Sequence, residues 1–384
     1  MKITNVDAFP FRLPVRRSFK WASLQIPLGG FVYVRIDTDE GLVGHGEATP
    51  LPDWGGDFGK PGGETQRTVV TIIKDVIAPT LIGLDPTEVE RAHLEMDRVL
   101  RGNVYARNAV DMALHDIWGK TVGQPLYRLL GGRLRDSVRI AHMVGIMPND
   151  EALEEAAAAV ADGVSALQIK GGIDPDRDID LIQRLRERLD RRVFLRLDAN
   201  QGYGRAKPAI RVLDALADAR LDMIEQPVEG RAEMAIATAG SPVPVMADES
   251  CWDALDALDV VRHRAADAIS VYLAKAGGIV RARRMAAIAE AAQLPCDVNG
   301  SIESGIGNAA NLHFALATRS LTLPSVIPVS APAGRHPCRV AGNYYLDDVI
   351  AEPFEFRDGC LLPLERPGLG IEVEAAKLEK YREY

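Results

Sequence analysis

The feature that most constrains the fold is an alternation of short apolar segments with amphipathic segments, which begins after Gly132. Eight segments have the composition of buried strands: RIAHMVGI, ALQIK, VFLRLDAN, DMIEQP, VPVMADES, AISVYLAK, LPCDVNG and PSVIPVS. Between them lie helical patterns such as DEALEEAAAAVADG and DIDLIQRLRERLD. This alternation is typical of an α/β fold with a parallel sheet, and eight strands favour a closed barrel. An open doubly wound sheet is the alternative, but no G-x-G-x-x-G follows the first strand.

The first third of the chain has a different pattern. Residues 2–14 and 31–48 alternate apolar and polar side chains as half-buried strands do, and DEG at 39–41 marks a hairpin turn in the second run. From about 64 to 130 the apolar positions recur with helical spacing. We therefore predict a small α+β domain over residues 1–125.

Two long loops rich in glycine and proline interrupt this first domain. VRRSFKWASLQIPLGG separates the first two strands, and LPDWGGDFGKPGGETQ follows the hairpin. Long loops in compact domains are often lids or binding loops. Three aromatic residues in these loops either anchor them on the surface or contact a substrate: Trp21, Trp54 and Phe58.

Charge and cysteine content argue against several classes of function. The net charge of −9 disfavours a nucleic acid or an anionic membrane as partner, although a bound metal would still allow an anionic small-molecule substrate. The four cysteines form no C-x-x-C pair, so neither a zinc site nor a disulfide framework is indicated. The chain starts without an apolar signal-peptide core, and no run approaches 18 apolar residues. We expect a cytoplasmic protein.

Ionisable residues end five successive strands of the predicted barrel. They follow one another at intervals of 28, 27, 23 and 27 residues, about one strand–helix unit each: Lys170, Asp198, Glu225, Asp248 and Lys275. In parallel barrels the carboxyl ends of the strands converge on one mouth, where active sites lie. One charge at a strand end needs no function, because solvent begins there. Five in succession, with acids in the middle and a lysine on each side, favour a built site.

The three acids of this series form a candidate metal site. Neighbouring carboxylates repel one another unless a cation lies between them. Mg²⁺ prefers carboxylate oxygens, and the absence of His or Cys from the set disfavours zinc. We therefore predict that Asp198, Glu225 and Asp248 bind Mg²⁺. On the same strand face as Asp198, Asn200 is a candidate to orient a metal-bound water or contact substrate, and Arg196 is a candidate buried partner of the acids.

The two lysines are the candidate acid/base groups. Each lies two strands from Glu225, so they should flank a metal-bound substrate carboxylate from opposite sides. A nearby dication and partial burial favour the neutral amine, which is a usable base. The metal would stabilise the enediolate formed when the α-proton leaves. Asp297 and Asn299, at the end of the seventh strand, either contact the substrate or belong to a solvated turn.

With these residues identified, the chain resembles the enolase superfamily, in its mandelate racemase and muconate lactonizing enzyme branch. ARNAVDMALHDIWGKTVGQPLYRLLGG is similar to the family's segment before the barrel, and LDANQGY, IEQPV, MADES, LAKAGG and ESGIGNAANLHFALA resemble its barrel motifs in order. The resemblance covers nearly the whole chain. It implies a modified (β/α)₇β TIM-like barrel over 126–340, capped by an α+β domain at 1–125 that residues 341–384 complete. It also implies a homo-oligomer.

Residue by residue, the resemblance assigns the same roles as the spacing. Asp198, Glu225 and Asp248 fall on the family's metal positions, and Lys170 and Lys275 fall on its acid/base positions. Glu303 occupies the place of a glutamate that often precedes the family's GIG. The predicted substrate contacts are Gln168, Asn200, Asp297, Asn299, Glu303, Trp21 and Trp54.

Departures from the family pattern narrow the expected substrate. The usual K-x-K is Gln168-Ile169-Lys170 here, which weakens a muconate cycloisomerase interpretation and resembles members acting on proline-type amino acids. The eighth strand, PSVIPVS, lacks the D-x-D of dipeptide epimerases. Lys275 stands in place of the His-Asp dyad of mandelate racemase, which argues against acid-sugar substrates.

The function expected from these features is Mg²⁺-dependent abstraction of the α-proton of a carboxylate. The outcome is racemisation or epimerisation, or loss of water, with an amino-acid-derived, proline-like acid as the favoured substrate. Two alternatives remain: a muconate-type cycloisomerase, and a barrel that has kept the fold as a non-catalytic binding protein.

Overall fold

A computed structural model of the chain describes residues 1–24, 27–54 and 63–383. Phe58, a predicted loop aromatic, lies outside the described residues. Among the residues described, no helix combines the length and apolar character needed to cross a membrane.

The N-terminal part is a three-stranded antiparallel sheet covered by helices. Its strands are paired in the order β1-β2-β3, and the predicted hairpin between β2 and β3 is confirmed. The strands are β1 (Ile3–Arg12), β2 (Gly30–Thr38) and β3 (Val43–Ala48). The helices are α1 (Gln66–Ile72), which continues through a π-helical turn at Ile73–Ile77 into α2 (Ala78–Leu81), then α3 (Val89–Val99), α4 (Val104–Thr121) and α5 (Leu126–Leu129).

Two glycines let α4 lie directly on this sheet. A Cβ on Gly44 would lie 2.2 Å from the carbonyl oxygen of Ala113, and one on Gly46 would lie 1.9 Å from that of Ala109. Both distances are far below van der Waals contact, so the close helix–strand packing requires glycine at both positions.

The second part is a seven-stranded parallel sheet with helices between consecutive strands, and the strands neighbour one another in chain order. This confirms the predicted α/β barrel class. The strands are β5 (His142–Val144), β6 (Ala166–Lys170), β7 (Phe194–Asp198), β8 (Met223–Glu225), β9 (Val245–Ala247), β10 (Ala268–Val271) and β11 (Cys296–Val298), preceded by the short β4 (Val138–Arg139). The helices are α6 (Asn149–Ala161), α7 (Pro175–Arg188), α8 (Ala206–Ala215), α9 (Arg231–Gly240), α10 (Ala254–His263), α11 (Leu273–Ala276), α12 (Ile279–Ala291) and α13 (Gly305–Ala317).

The predicted eighth strand, PSVIPVS, does not form a regular strand. It still connects the two edges of the sheet, since Ser325 N donates to Arg139 O at 3.0 Å and Val326 N donates to Val298 O at 3.0 Å. Pro324 and Pro328 have no amide proton, so this segment cannot make a continuous ladder. The prediction of an eighth strand is therefore wrong, but the segment lies where that strand was predicted, between the first and seventh strands of the barrel.

The C-terminal part contacts both other parts. It contains β12 (Phe356–Arg357), β13 (Cys360–Leu361) and α14 (Ala375–Lys380). β13 pairs with β4. At the cap, Arg12 N donates to Tyr381 O at 2.9 Å and Arg12 forms an ion pair with Glu383 at 2.7 Å. The boundaries 1–125, 126–340 and 341–384 stay a proposed division.

Candidate active site

Three of the predicted site residues lie side by side across neighbouring strands. Lys170 of β6 is the register partner of Asp198 of β7, which is in turn the partner of Glu225 of β8. Glu225 is paired with Met246 of β9, and Asp248 lies two residues further along the chain. Because side chains two apart in a strand share a face, all four charged groups converge on the mouth of the barrel.

Lys275 reaches the same place by a different route from the one predicted. The sixth strand was expected to run to Lys275, but β10 ends at Val271 and Lys275 lies on the one-turn helix α11. Gly277, with a φ of +86°, ends that turn in a conformation that glycine adopts without strain. Lys275 Nζ donates to Asp248 Oδ1 at 2.6 Å, Asp248 O at 2.8 Å and Ser270 O at 2.9 Å.

Lys170 has a more varied environment. Its Nζ donates to Asp198 Oδ2 at 2.5 Å and Asn200 Oδ1 at 3.2 Å, and it lies 5.5 Å from the centre of the Trp21 ring. Burial opposes the charged form of this amine, but Asp198 and Glu225 outweigh burial and raise the pKa of Lys170. Lys275 Nζ lies 4.6 Å from the centre of the Tyr272 ring. Each lysine therefore lies between a carboxylate and an aromatic face.

The buried cluster contains more acidic than basic side chains. Five carboxylates, those of Asp198, Glu225, Asp248, Glu249 and Asp297, are buried together with three cations, those of Lys170, Lys275 and Arg196. The acids outnumber the cations by two, but burial raises the pKa of Glu249 to about 8, so not every acid carries a charge at neutral pH. Burial, with added repulsion from Asp198, Asp248 and Asp297, raises the pKa of Glu225 well above its usual value despite the nearby Arg196.

The carboxylate oxygens of the cluster suit Mg²⁺, although the side chains are not grouped closely enough to hold the ion as they stand. In the described part of the chain, no three His, Cys, Asp or Glu side chains are grouped to hold a metal ion as they stand. The acids are engaged by lysine ammonium groups and by Gln168 instead. Among the described residues, Glu249 Oε2 is buried without a hydrogen-bond partner, an acceptor oxygen beside the acids that nothing satisfies. Carboxylate oxygens are the ligands that a hard divalent cation prefers.

Gln168 joins two of the acids. Its Nε2 donates to Asp198 Oδ2 at 2.7 Å and to Glu225 Oε2 at 3.0 Å. At this position, where the family's pattern has a lysine, a neutral amide holds the two carboxylates together without adding positive charge.

A small cavity of about 30 Å³ opens above the cluster. Lys170 and Asp248 line it, together with the predicted contacts Trp21, Trp54, Gln168, Asn200 and Asn299. The other lining residues were not predicted: Leu51, Met143, Tyr272, Gly300, Ser301 and Ile302. Tyr272 has a signal in the sequence, since it is an aromatic residue between the end of β10 and Lys275. Ile302 has no recognisable signal in the sequence.

Two predicted substrate contacts lie elsewhere. Asp297 is not among the residues that line the cavity, and its carboxylate accepts from Arg196 Nη1 at 2.5 Å inside the barrel. Glu303 accepts from Ser301 N at 3.0 Å and is likewise not in the lining. Both acids are hydrogen-bonded by neighbouring protein groups, and their contact with a substrate stays a prediction.

The chain matches two family models over most of its length. Residues 3–131 match the mandelate racemase / muconate lactonizing enzyme N-terminal domain, and residues 151–377 match the enolase C-terminal domain-like family. The protein belongs to the enolase superfamily. Its mandelate racemase and muconate lactonizing enzyme branch, identified from the motifs, is confirmed.

Relatives in this superfamily share both sequence and fold. The N-succinyl-L-Arg/Lys racemase of Bacillus cereus is 30% identical, covering 99% of this chain and 98% of the relative. The L-Ala-D/L-Glu epimerase of Bacillus subtilis is 36% identical, covering 84% of this chain and 87% of the relative. The crystal structure of 2-chloromuconate cycloisomerase from Rhodococcus opacus superposes with a TM-score of 0.91 at 29% identity, covering both chains completely.

The names of these relatives indicate the general type of reaction that the chain catalyses. They are named racemase, epimerase and cycloisomerase, so the chain is an enzyme with isomerase-type chemistry acting on a small molecule. Enzymes of this branch are generally Mg²⁺-dependent.

Proposed function

We propose that the enzyme removes the α-proton of a carboxylic acid held by Mg²⁺, and that it either returns the proton on the other face or expels water. The observation that carries this proposal is the ladder Lys170–Asp198–Glu225, with Lys275 turned back onto Asp248 at the far side. It provides two amines around one set of acids, an arrangement that allows a proton to be removed on one face of a carbon and returned on the other.

Each residue of the ladder has a proposed task. Asp198, Glu225 and Asp248 would hold Mg²⁺, which when bound supplies the positive charge that stabilises an enediolate. Lys170 takes or returns the α-proton at Nζ on one face of the substrate, and Lys275 does so on the other. Asn200 receives a hydrogen bond from Lys170 and fixes the direction of its amine.

The walls of the cavity support a compact, proline-like substrate. Trp54 stacks on Tyr272 with ring centres 5.3 Å apart, and Leu51, Met143 and Ile302 add further apolar surface. Such walls suit a small ring, and aromatic faces also attract a substituted ammonium. The segment that would carry a D-x-D is apolar and buried at Val326, Ile327 and Val329.

The muconate-type cycloisomerase stays the second candidate. Muconate cycloisomerase 1 of Rhodococcus opacus is 31% identical, covering 97% of this chain and 96% of the relative. Gln168 counts against this candidate, because the neutral amide leaves one cation fewer beside an anionic substrate. We also propose that the protein is cytoplasmic and forms a homo-oligomer.

Hydrogen exchange in D₂O tests the proposal. Purified enzyme with Mg²⁺ is incubated with proline, N-methylproline, 4-hydroxyproline, hydroxy acids and cis,cis-muconate, and products are followed by NMR. Deuterium gained at the α-carbon without other change indicates a racemase or epimerase, loss of water a dehydratase, and lactone formation the cycloisomerase. No reaction with any of these acids in the presence of Mg²⁺ would contradict the proposed function.

Metal binding is tested separately by calorimetry. Asp198→Asn should weaken Mg²⁺ binding at least about tenfold, since it removes one anionic ligand. Asp214→Asn, which changes an exposed acid on α8, is the matched control and should bind as the wild type does. Equal affinity of the two variants would contradict the proposed metal site.

A further inference from the structure

The loop between β11 and α13 contains a strained residue. Ile302 has a φ of +61°, in the left-handed region that β-branched side chains rarely adopt. It is buried and lines the cavity together with Gly300 and Ser301. Strain of this kind persists only where surrounding contacts hold the backbone, and it is concentrated at functional sites.

Three side chains from outside the barrel form hydrogen bonds with this loop, and each bonds to a different loop residue. The Tyr345 hydroxyl donates to Ile302 O, and the Tyr105 hydroxyl is 3.1 Å from Ser301 Oγ. Ser304 N donates to Glu47 Oε1 at 2.9 Å, and its hydroxyl donates to the other oxygen of Glu47. Glu47 lies on β3 and Tyr105 on α4, while Tyr345 belongs to the C-terminal part. The cap and the C-terminal part therefore restrain the loop at three of its residues.

Glu303 braces the loop from inside. It accepts from Ser301 N at 3.0 Å, and Asn308 Nδ2 donates to its carbonyl oxygen at 2.7 Å. A Cβ on Gly300 would lie 2.0 Å from Glu303 Oε2, so the residue before Ser301 must be glycine for the carboxylate to fit. With Glu303 in place on one side and Tyr345 on the other, Ile302 is held in its unusual conformation.

We infer that Ile302 is a specificity-determining residue and that the cap sets its position through Tyr345, Tyr105 and Glu47. The strained backbone holds the isoleucine side chain at the wall of the cavity, where it limits the size of the group attached to the substrate's α-carbon. The inference rests on the proposed function, since it takes this cavity to be the substrate site.

A series of cyclic amino acids that differ by one methylene tests the side chain. The ratio of exchange rate constants for L-pipecolate and L-proline is measured in the wild type and in Ile302→Gly. Removing the side chain should raise the ratio about tenfold or more, the usual effect of one methylene in a fitted pocket. Ile302→Val, which removes one methyl group and keeps the branched Cβ, should give a smaller rise. An unchanged ratio in Ile302→Gly overturns the inference.

A double-mutant cycle on thermal unfolding tests the cap's part without any substrate. Tyr345→Phe should lower Tm by roughly 1–2 °C in the wild type and by less than half as much in Ile302→Gly, where no strained side chain needs holding. Tyr127→Phe, which removes a hydroxyl bonded to Glu365 at 2.6 Å, is the control and should act equally in both backgrounds.

The two experiments separate the failure of the inference from that of the proposed function. Equal effects of Tyr345→Phe in both backgrounds overturn the restraint by the cap, whatever the enzyme's activity. A wild type that exchanges no acid overturns the proposed function and with it the assignment of specificity, while the unfolding cycle still decides whether the cap holds the strained loop.

Discussion

At the scale of single residues, the two candidate bases differ in how they are held. Lys275 directs hydrogen bonds to two backbone carbonyls and one carboxylate oxygen, which is the full donor capacity of an ammonium group. Lys170 directs its hydrogen bonds to two side chains, Asp198 and Asn200. Backbone carbonyls cannot turn away, whereas side chains can. Lys170 is therefore the lysine whose surroundings can rearrange more readily when substrate binds.

Alanine variants of the lysines test their separate roles. Lys170→Ala and Lys275→Ala should each abolish α-hydrogen exchange from one stereoisomer, with losses of about 10²–10⁴-fold typical for removal of a general base. Exchange from each pure enantiomer in D₂O, followed by NMR, gives the two rates directly. If both variants retain the wild-type rates with both enantiomers, the two-lysine mechanism is wrong.

At the scale of elements, the cap depends on the contact between β3 and α4. The bare backbone at Gly44 and Gly46 allows the helix to lie on the strand, and the same strand carries Glu47 to the loop after β11. A change in the distance between β3 and α4 would therefore be transmitted to the cavity wall as well as to the core of the cap.

Gly46→Ala should destabilise the protein by at least about 3 kcal/mol, because the added methyl group overlaps a backbone carbonyl that cannot move without displacing α4. Gly41→Ala is the control in the same hairpin: it adds a methyl group where no atom lies within 4 Å, at a φ of +80°. Its cost should be about 1–2 kcal/mol, the cost of the left-handed conformation alone. Urea unfolding of both variants measures the difference, and equal costs would contradict the close contact.

At the scale of the whole molecule, three buried acids lie where the cap and C-terminal part meet the barrel. Burial, aided by Asp348 and Glu303, raises the pKa of Glu47 to about 8, although Ser304 donates to it. Burial also raises the pKa of Glu303 and of Asp348 to about 7 each. Each acid binds a proton more tightly when folded than when unfolded. Their contribution to stability is therefore complete below about pH 4.5 and is lost as the pH rises towards 8.

The free energy of unfolding should accordingly fall between pH 5 and pH 8, with a slope of up to about 1.4 kcal/mol per pH unit from each acid. Glu47→Gln, which resembles the protonated acid, should reduce this fall by at least about 1 kcal/mol. Urea unfolding at the two pH values measures it, with the exposed Glu151→Gln on α6 as control. The same fall in Glu47→Gln and wild type would show that Glu47 does not titrate in this range.

The sequence by itself determined the order of strands and helices and four of the five charged site positions. Lys170, Asp198 and Glu225 end their strands and Asp248 directly follows β9, as the spacing predicted, because alternation and strand length are local properties of the chain. The same local patterns wrongly predicted that the sixth strand runs to Lys275 and that PSVIPVS forms an eighth strand. Strand-like composition alone does not show that a helical turn follows Val271, or that two prolines remove the amide protons a strand needs.

Only the tertiary structure decided which groups face the cavity. Arg196 draws Asp297 into the barrel interior, Ser301 engages Glu303, and Tyr272 and Ile302 enter the lining although neither was a candidate. In the loop after β11, Ile302 is bonded to Tyr345 and Ser304 to Glu47, across 43 and 257 residues of the chain. Contacts over such distances depend on how finished elements pack together, and no pattern within a single element records them.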